Sequence, residues 1–180
     1  RGDTEPQKIL TDAGDRLVTL CPTNNPDVID AAVDMGEVTP LGPPADWHLV
    51  GSDPMRPVRH LGVGNPHAVV LVDNVAVVDL LTLGEMVPHI NLEIVEEGPE
   101  PTAIRMRVHE RGAGITEACG TGACAAAWAA SSWGLVGDDV SEITVHMDGG
   151  DAKVRLHDPV KGHCTLVGPA VFVGSITIHI

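Results

Sequence analysis

The feature of this sequence that most constrains its fold is an uncharged stretch that runs from residue 118 to residue 137. Within it, residues 122–133 consist of small side chains and two tryptophans, and this pattern predicts a helix. Because no face of that helix is charged, it has to be surrounded by protein. Alanine, glycine and serine are too weakly apolar for a convincing membrane span. The stretch therefore predicts a helix buried at the centre of a folded domain.

Short β runs separated by turn residues make up most of the remaining chain, which has 20 glycines and 14 prolines. Several runs alternate polar and apolar residues, as half-buried strands do. A shorter helix is predicted over residues 78–86, and a hairpin turn over residues 148–151. We expect an α+β fold in which a strongly curved, barrel-like sheet, mixed or antiparallel, wraps around the buried helix. The predicted strands are 16–20, 31–35, 47–50, 58–62, 67–72, 90–96, 103–109, 142–147, 152–156, 164–167 and 175–180.

The charge balance excludes some kinds of partner. The 180 residues include 25 acidic and 11 basic side chains, for a net charge of −14. Nucleic acid and anionic membranes repel such a chain, so neither is expected as a partner. The four cysteines form no CxxC pair, and the histidines lack metal-ligand spacing, which disfavours a disulfide framework and a metal site. We expect reduced thiols in a cytoplasmic protein.

The segment that carries chemistry, residues 110–124, joins a predicted strand to the buried helix and places Cys119 before Gly120-Thr121-Gly122. Unpaired N–H groups in the first helical turn can bind an anion. The positive end of the helix dipole is expected to lower the pKa of Cys119. A thiolate beside a bound carboxylate describes a site for proton transfer at the adjacent carbon. The alternative is that Cys119 is a structural cysteine in a tight turn. An ion pair between Glu110 and Arg111 would make this alternative less favourable, because it would face a cleft beside the glycine-rich loop.

Other polar residues are weaker candidates when taken alone. Asn65 and His67 precede the apolar run 68–72, and Asn91 lies at the start of another predicted strand. Such residues are often only turn or cap residues. Cys124 lies five residues after Cys119, on a different face of the helix, and is interpreted as a core residue.

Two motifs in this chain resemble those of the diaminopimelate epimerase family. Residues 110–114 followed by 118–123 resemble the segment around that family's second catalytic cysteine, and Gly64-Asn65-Pro66-His67 resembles its Gly-Asn-Pro-His motif. Segments 33–36, 147–150 and 168–174 follow in family order with fitting spacing. The resemblance covers nearly the whole chain and implies a diaminopimelate epimerase-like fold.

The resemblance implies an epimerase that needs no cofactor. Such an enzyme converts LL-2,6-diaminopimelate into the meso isomer, for lysine and peptidoglycan-precursor biosynthesis, with one cysteine on each face of the α-carbon. Cys119 would be the proton acceptor for the LL substrate. The backbone of Gly120 and Thr121 would hold the reacting carboxylate.

The same resemblance assigns residues to the distal end of the substrate. Asn65, Asn91 and Arg111 would bind the distal carboxylate, and Glu110 the distal amino group. His67 and Glu110 match positions that tune the two thiols.

One departure from the family pattern is large, because the Cys-Gly-Asn-Gly motif around the family's first cysteine does not occur in this sequence. Residues 11–14 already match the region that follows it. We therefore expect residues 1–174 to form the C-terminal lobe of an epimerase and residues 175–180 to form a strand belonging to a missing N-terminal lobe. Such a truncated chain would have little activity alone. The internal pseudo-symmetry of the family is compatible with a homodimer.

Three other functions stay open. A proline or hydroxyproline racemase would also use two thiols, but its substrates lack the distal amino-acid head that Glu110 and Arg111 would bind. A non-catalytic amino-acid-binding or interaction module would keep the pocket alone. A hydrolase would pair Cys119 with His67 or His109, without an evident third orienting group.

Overall fold

Alternation of side chains between two sheet faces organises most of this protein. The structure is a computed structural model that describes residues 5–11, 14–171 and 173–177. None of the helices in that part of the chain has the length and apolarity needed to cross a bilayer. The helices are α1 (Leu80–Met86), α2 (Gly120–Ser132) and two 3-10 segments, Trp47–Val50 and Val75–Val77. The strands are β1 (Gln7–Thr11), β2 (Gly14–Pro22), β3 (Val28–Glu37), β4 (Thr39–Pro40), β5 (Val58–Gly62), β6 (Pro66–Leu71), β7 (Asn91–Glu97), β8 (Ala103–Glu110), β9 (Gly114–Thr116), β10 (Glu142–Met147), β11 (Gly150–Leu156) and β12 (His163–Val171).

The strands form one mixed sheet. Its order is β1-β2-β3-β12-β11-β10-β8-β7-β6-β5-β4, with β9 paired to β8. Two neighbouring pairs are parallel, β6 with β7 and β8 with β10. The predicted α+β fold with a curved sheet around a helix is confirmed, but the sheet does not close into a barrel. Within the described residues, β1 and β4 remain its edges.

The curvature follows from the contacts of α2. This helix contacts seven described strands that are consecutive in the sheet, from β12 to β5. Seven flat strands would span about 29 Å at their usual spacing of about 4.8 Å, whereas a helix is only about 10 Å across. One helix reaches all of them only if the sheet curls around it. Three fully buried alanines, Ala125, Ala126 and Ala127, allow the strands to approach closely.

Apolar clusters cover both faces of the central strands. On the inner face, Val69, Val95 and Met106 pack around α2. On the outer face, Leu92 and Ile94 belong to a second cluster that includes residues of α1 and the 3-10 segments. The polar side chains in the first half of β7, Asn91 and Glu93, are therefore buried, whereas Glu97 at the end of the strand is exposed.

Element boundaries differ from the predictions at both helices and in seven of the strands that were predicted. Helix α2 begins two residues earlier than predicted, and α1 begins at Leu80 because the Asp79 side chain accepts a hydrogen bond from the Thr82 N–H. Strands β1, β4 and β9 were not predicted. Of the strand predicted at 175–180, residues 175–177 have no regular structure, and residues 178–180 lie outside the described residues.

The strand predicted at residues 47–50 is wrong, because this segment is a 3-10 helix. The Trp47 N–H donates to the Pro44 carbonyl at 3.0 Å, and the Leu49 N–H donates to the Asp46 carbonyl at 2.9 Å. These local bonds start a helical turn, which Gly51 ends with a φ of 60°.

We expect Gly84→Ala to destabilise the protein, because Gly84 on α1 faces the His109 ring on β8. A Cβ at position 84 would lie 2.1 Å from His109 Cγ, and both residues are buried. The free energy of unfolding should fall by about 1–3 kcal/mol despite the better helix propensity of alanine. Urea denaturation measures the change. Gly42→Ala is the control, since open space surrounds that position, and equal stability of the two variants would contradict the packing described here.

Candidate active site

The sheet topology brings the sequence motifs to one edge. Strands β6 and β7 are parallel and start there with His67 opposite Asn91, two residues after Asn65. Strand β8 is antiparallel to β7 and ends there at Glu110, which Arg111 follows. The β8–β9 hairpin then leads the chain into α2. Segments far apart in sequence therefore meet beside the start of the buried helix.

Cys119 is the N-cap residue of α2. Its backbone is extended, and its Sγ accepts a hydrogen bond from the Gly122 N–H at 3.3 Å. The Thr121 hydroxyl lies 3.5 Å from the same sulfur. The residue is only 7% exposed. The sulfur is thus held between the first helical turn and the inner face of the sheet.

The expectation that the pKa of Cys119 is lowered is wrong. Burial raises the pKa of this thiol to about 11, and the carboxyl groups of Glu93 and Glu110 add to the increase when they are ionised. Hydrogen bonds from Thr121 and Gly122 act in the opposite direction, as a helix N-terminus should, but they are outweighed. The neutral thiol is therefore the resting form at pH 7.

Two further donors stand beside the sulfur. The N–H groups of Gly120 and Thr121 have no acceptor within the described part of the chain. Such groups at a helix N-terminus bind anions. This end of α2 can therefore hold a carboxylate against the Cys119 thiol.

A second set of free donors lies at the strand ends. Asn91 Oδ1 accepts from the Arg111 N–H at 2.8 Å, and Asn65 Oδ1 lies 2.9 Å from His67 Nε2. Both amide carbonyl groups thus accept a hydrogen bond, whereas neither NH₂ group has a partner in the part of the chain that the structure describes. The Arg111 side chain is exposed and forms no ion pair with any described residue. These groups offer donors without acceptors, which suits a carboxylate.

Glu110 does not form the expected ion pair with Arg111. Its Oε1 accepts a hydrogen bond from the Thr116 hydroxyl at 2.5 Å, which ties the end of β8 to β9. Glu110 is half-buried, and its charge acts on Cys119.

Glu93 is the site residue that the sequence analysis missed. It is fully buried, and its Oε1 lies 2.6 Å from His67 Nδ1, while its Oε2 has no partner in the structure. The same Oε1 would lie 2.8 Å from a Cβ at Gly122. Glu93 thus stands between His67 and the first turn of α2. Its signal in the sequence is one acidic residue inside the apolar run of β7.

The geometry disfavours a cysteine–histidine hydrolase. Both ring nitrogens of His67 are engaged, by Glu93 and Asn65. His109 faces α1 on the other side of the sheet, as its contact with Gly84 shows. Neither imidazole is placed to take a proton from Cys119.

The remaining cysteines and cavities do not form a competing site. Cys124 is fully buried, as predicted, and so is its neighbour Cys164, whereas Cys21 is exposed. No group of three or more His, Cys, Asp or Glu residues among those described is placed to hold a metal ion. A cavity of about 290 Å³ lies on the outer face of the sheet and is lined mainly by Val, Leu and Ile.

The raised pKa predicts how Cys119 reacts with iodoacetamide. Because only the thiolate reacts, the alkylation rate should increase about tenfold per pH unit from pH 7 to pH 10. Thr121→Val removes one stabilising hydrogen bond and should raise the pKa further, so alkylation at pH 9 should become slower. Peptide mass spectrometry follows Cys119 separately from the exposed Cys21. A rate plateau below pH 9 would contradict the burial argument.

Comparison with known proteins places these observations in a family. The model of the diaminopimelate epimerase family matches residues 60–173. A diaminopimelate epimerase from Rhodospirillum centenum is 40% identical over 136 residues, which cover 71% of this chain and 45% of that protein. The chain spans about half the length of the first curated relatives it matches.

Solved structures share the fold. A Bacillus anthracis phenazine biosynthesis protein of the PhzF family has a TM-score of 0.69 and 15% identity, covering 99% of this chain and 70% of its own. A hydroxyproline epimerase from Agrobacterium vitis, with bound trans-4-hydroxy-L-proline, has a TM-score of 0.61 and 15% identity, covering 96% and 59%. At these identities the likeness concerns the fold alone, and it confirms the predicted fold class.

Proposed function

This chain belongs to the diaminopimelate epimerase family, and on that premise we propose that its site binds 2,6-diaminopimelate and that Cys119 transfers a proton at the α-carbon. One observation carries the proposal. The first N–H groups of α2 adjoin the Cys119 sulfur. The Asn65 and Asn91 amides lie at the strand ends that meet beside this helix, and Arg111 is joined to Asn91 through its backbone N–H. A ligand with a carboxylate at each end fits this arrangement.

The reacting end would work as follows. The Gly120 and Thr121 N–H groups bind the α-carboxylate. The step starts from the minor thiolate form of Cys119, after the thiol has lost its proton to solvent. When the α C–H bond breaks, its proton goes to this thiolate, and the electron pair moves into the bound carboxylate, where the N–H groups stabilise the added charge. A thiolate whose conjugate acid has a pKa of about 11 is a strong base towards a weakly acidic carbon. In the reverse direction the resting thiol already holds the proton to be delivered.

The distal end would decide which amino acid binds. Arg111 can hold a carboxylate through two hydrogen bonds, and the NH₂ groups of Asn65 and Asn91 add donors. The half-buried Glu110 supplies a negative charge for the distal ammonium. Proline has one carboxylate and no distal ammonium, so it would leave these groups unpaired.

Proton exchange in deuterated water tests the chemistry of this chain's own thiol. Exchange needs a base on one face of the α-carbon, whereas inversion also needs an acid on the other face. We expect LL-diaminopimelate to lose its α-proton signal in ¹H NMR spectra, faster at higher pH. Cys119→Ala should slow this exchange by about 100-fold or more.

Cys124→Ala is the matched control, because it makes the same substitution in the same helix and should leave exchange intact. Exchange with proline instead of diaminopimelate would favour the racemase alternative. Binding without exchange would favour a non-catalytic amino-acid-binding module. Failure to bind diaminopimelate would contradict the proposal.

Calorimetry with two ligands tests the distal carboxylate site. L-Lysine equals diaminopimelate without its distal carboxylate. Arg111→Gln should therefore weaken binding of diaminopimelate about tenfold or more and leave the affinity for L-lysine unchanged. Because Arg111 is exposed, the stability should change by less than about 0.5 kcal/mol. Arg59→Gln, at another exposed arginine, is the control. If Arg111→Gln weakened the binding of both ligands equally, Arg111 would not be the residue that binds the distal carboxylate.

A further inference from the structure

One chain of hydrogen bonds links the two ends of the site. Glu93 Oε1 lies 2.6 Å from His67 Nδ1, and His67 Nε2 lies 2.9 Å from Asn65 Oδ1. His67 and Glu93 are 1% and 0% exposed. Glu93 also contacts the first turn of α2, where its Oε1 occupies the space that a Cβ on Gly122 would need.

The positions of the hydrogens in this series of hydrogen bonds can be assigned, starting from Asn65. Asn65 Oδ1 is a carbonyl oxygen and only accepts, so His67 Nε2 carries a hydrogen. If His67 is neutral, its Nδ1 is then an acceptor, and Glu93 Oε1 must donate an O–H hydrogen. The distance of 2.6 Å suits a short hydrogen bond with an O–H donor.

Two observations favour this neutral arrangement over an imidazolium–carboxylate pair. Glu93 Oε2 has no partner among the described residues, and a buried carbonyl oxygen without a partner is less unfavourable than a buried carboxylate oxygen without one. Burial also raises the pKa of Glu93 and outweighs the charge and hydrogen bond of His67, which lower it.

We propose that Glu93 is a positioning residue: as a neutral carboxylic acid it donates to His67 Nδ1, fixes the Nε2–H tautomer, and so holds the Asn65 amide with its NH₂ group towards the substrate carboxylate. The identity of that carboxylate rests on the proposed function. If the donor at position 93 were lost, His67 could carry its hydrogen on Nδ1. Asn65 would then turn its NH₂ group to Nε2 and present its carbonyl oxygen, which repels a carboxylate.

Nitrogen-15 NMR of the ligand-free chain reads the tautomer directly, without reference to any substrate. We expect His67 to be neutral and protonated on Nε2 at pH 7. Glu93→Gln should preserve this state, because the glutamine amide also donates to Nδ1. Glu93→Leu removes the donor and should give a mixture of tautomers. Glu96→Gln, the same substitution further along β7, should leave the His67 signals unchanged.

An imidazolium form of His67 in the unsubstituted chain would overturn the proposal. So would a Glu93→Gln variant in which the Nε2–H tautomer is lost. Both measurements remain decisive if the leucine variant does not fold, since neither depends on it.

Ligand binding then connects the tautomer to recognition. Glu93→Leu should weaken binding of LL-diaminopimelate by about ten- to hundredfold, the range expected for one lost buried hydrogen-bond partner. Glu93→Gln should stay within about threefold of the unsubstituted chain, and the affinity for L-lysine should not change in either variant. Loss of L-lysine binding in Glu93→Leu would overturn the positioning role. If the unsubstituted chain does not bind diaminopimelate, the proposed function fails. The NMR measurement of the His67 tautomer still tests the role of Glu93, because it needs no ligand.

Discussion

The enclosure of α2 is the constraint on which the rest of this structure depends. A helix made of alanine, glycine and serine gains little from any single neighbour, so it is stabilised only when strands surround it. Seven strands do so, and the sheet has to curl to reach it. The N-terminal end of the helix lies at the edge where β6 and β7 begin and β8 ends. Its free N–H groups and the polar strand ends therefore face the same place.

Enclosure also explains why the pKa of Cys119 rises instead of falling. Two effects compete at a helix N-terminus: the donors favour a thiolate, and the loss of water disfavours it. Here the sulfur accepts one hydrogen bond from the helix backbone and lies 3.5 Å from the Thr121 hydroxyl, which does not replace full hydration. A bound carboxylate would also compete for the helix N–H groups and add negative charge. The site therefore favours the protonated sulfur, the form that delivers a proton, and abstraction of a proton from carbon would begin from the minor thiolate form.

The sequence allowed the central helix and most strands to be predicted, and the resemblance suggested the residues of the two proposed donor groups. Uniformly small side chains over residues 122–133 have one reasonable interpretation, and alternation identifies the strands whose two faces differ. Residues 47–50 were mispredicted because a local turn outweighed the strand-like composition. The resemblance located Asn65, Asn91 and Arg111, although nothing in their local sequence distinguishes them from turn residues.

Glu93 could not be identified in this way, for a physical reason. Alternation assigns it to the inner face of β7, but whether an inner-face acid is solvated or enclosed depends on α2, which lies almost thirty residues later in the chain. Its partner His67 comes from a neighbouring strand, 26 residues earlier. The sign of the Cys119 pKa shift escaped prediction for the same reason, since the helix dipole is local and desolvation is a property of the whole fold.

The selectivity of this site follows from which hydrogen-bonding groups the protein has already used. An asparagine amide can donate or accept, and alone it does not distinguish a carboxylate from an ammonium group. Here the acceptor halves of Asn65 and Asn91 are occupied by His67 and by the Arg111 N–H, so only the donor halves remain. A ligand that offers a donor to these amides would lose its own hydration without compensation, whereas the proposed carboxylate would be bound by all of them. The buried proton between Glu93 and His67 thus contributes to recognition without touching the ligand, by removing one of the two ways in which Asn65 could bind.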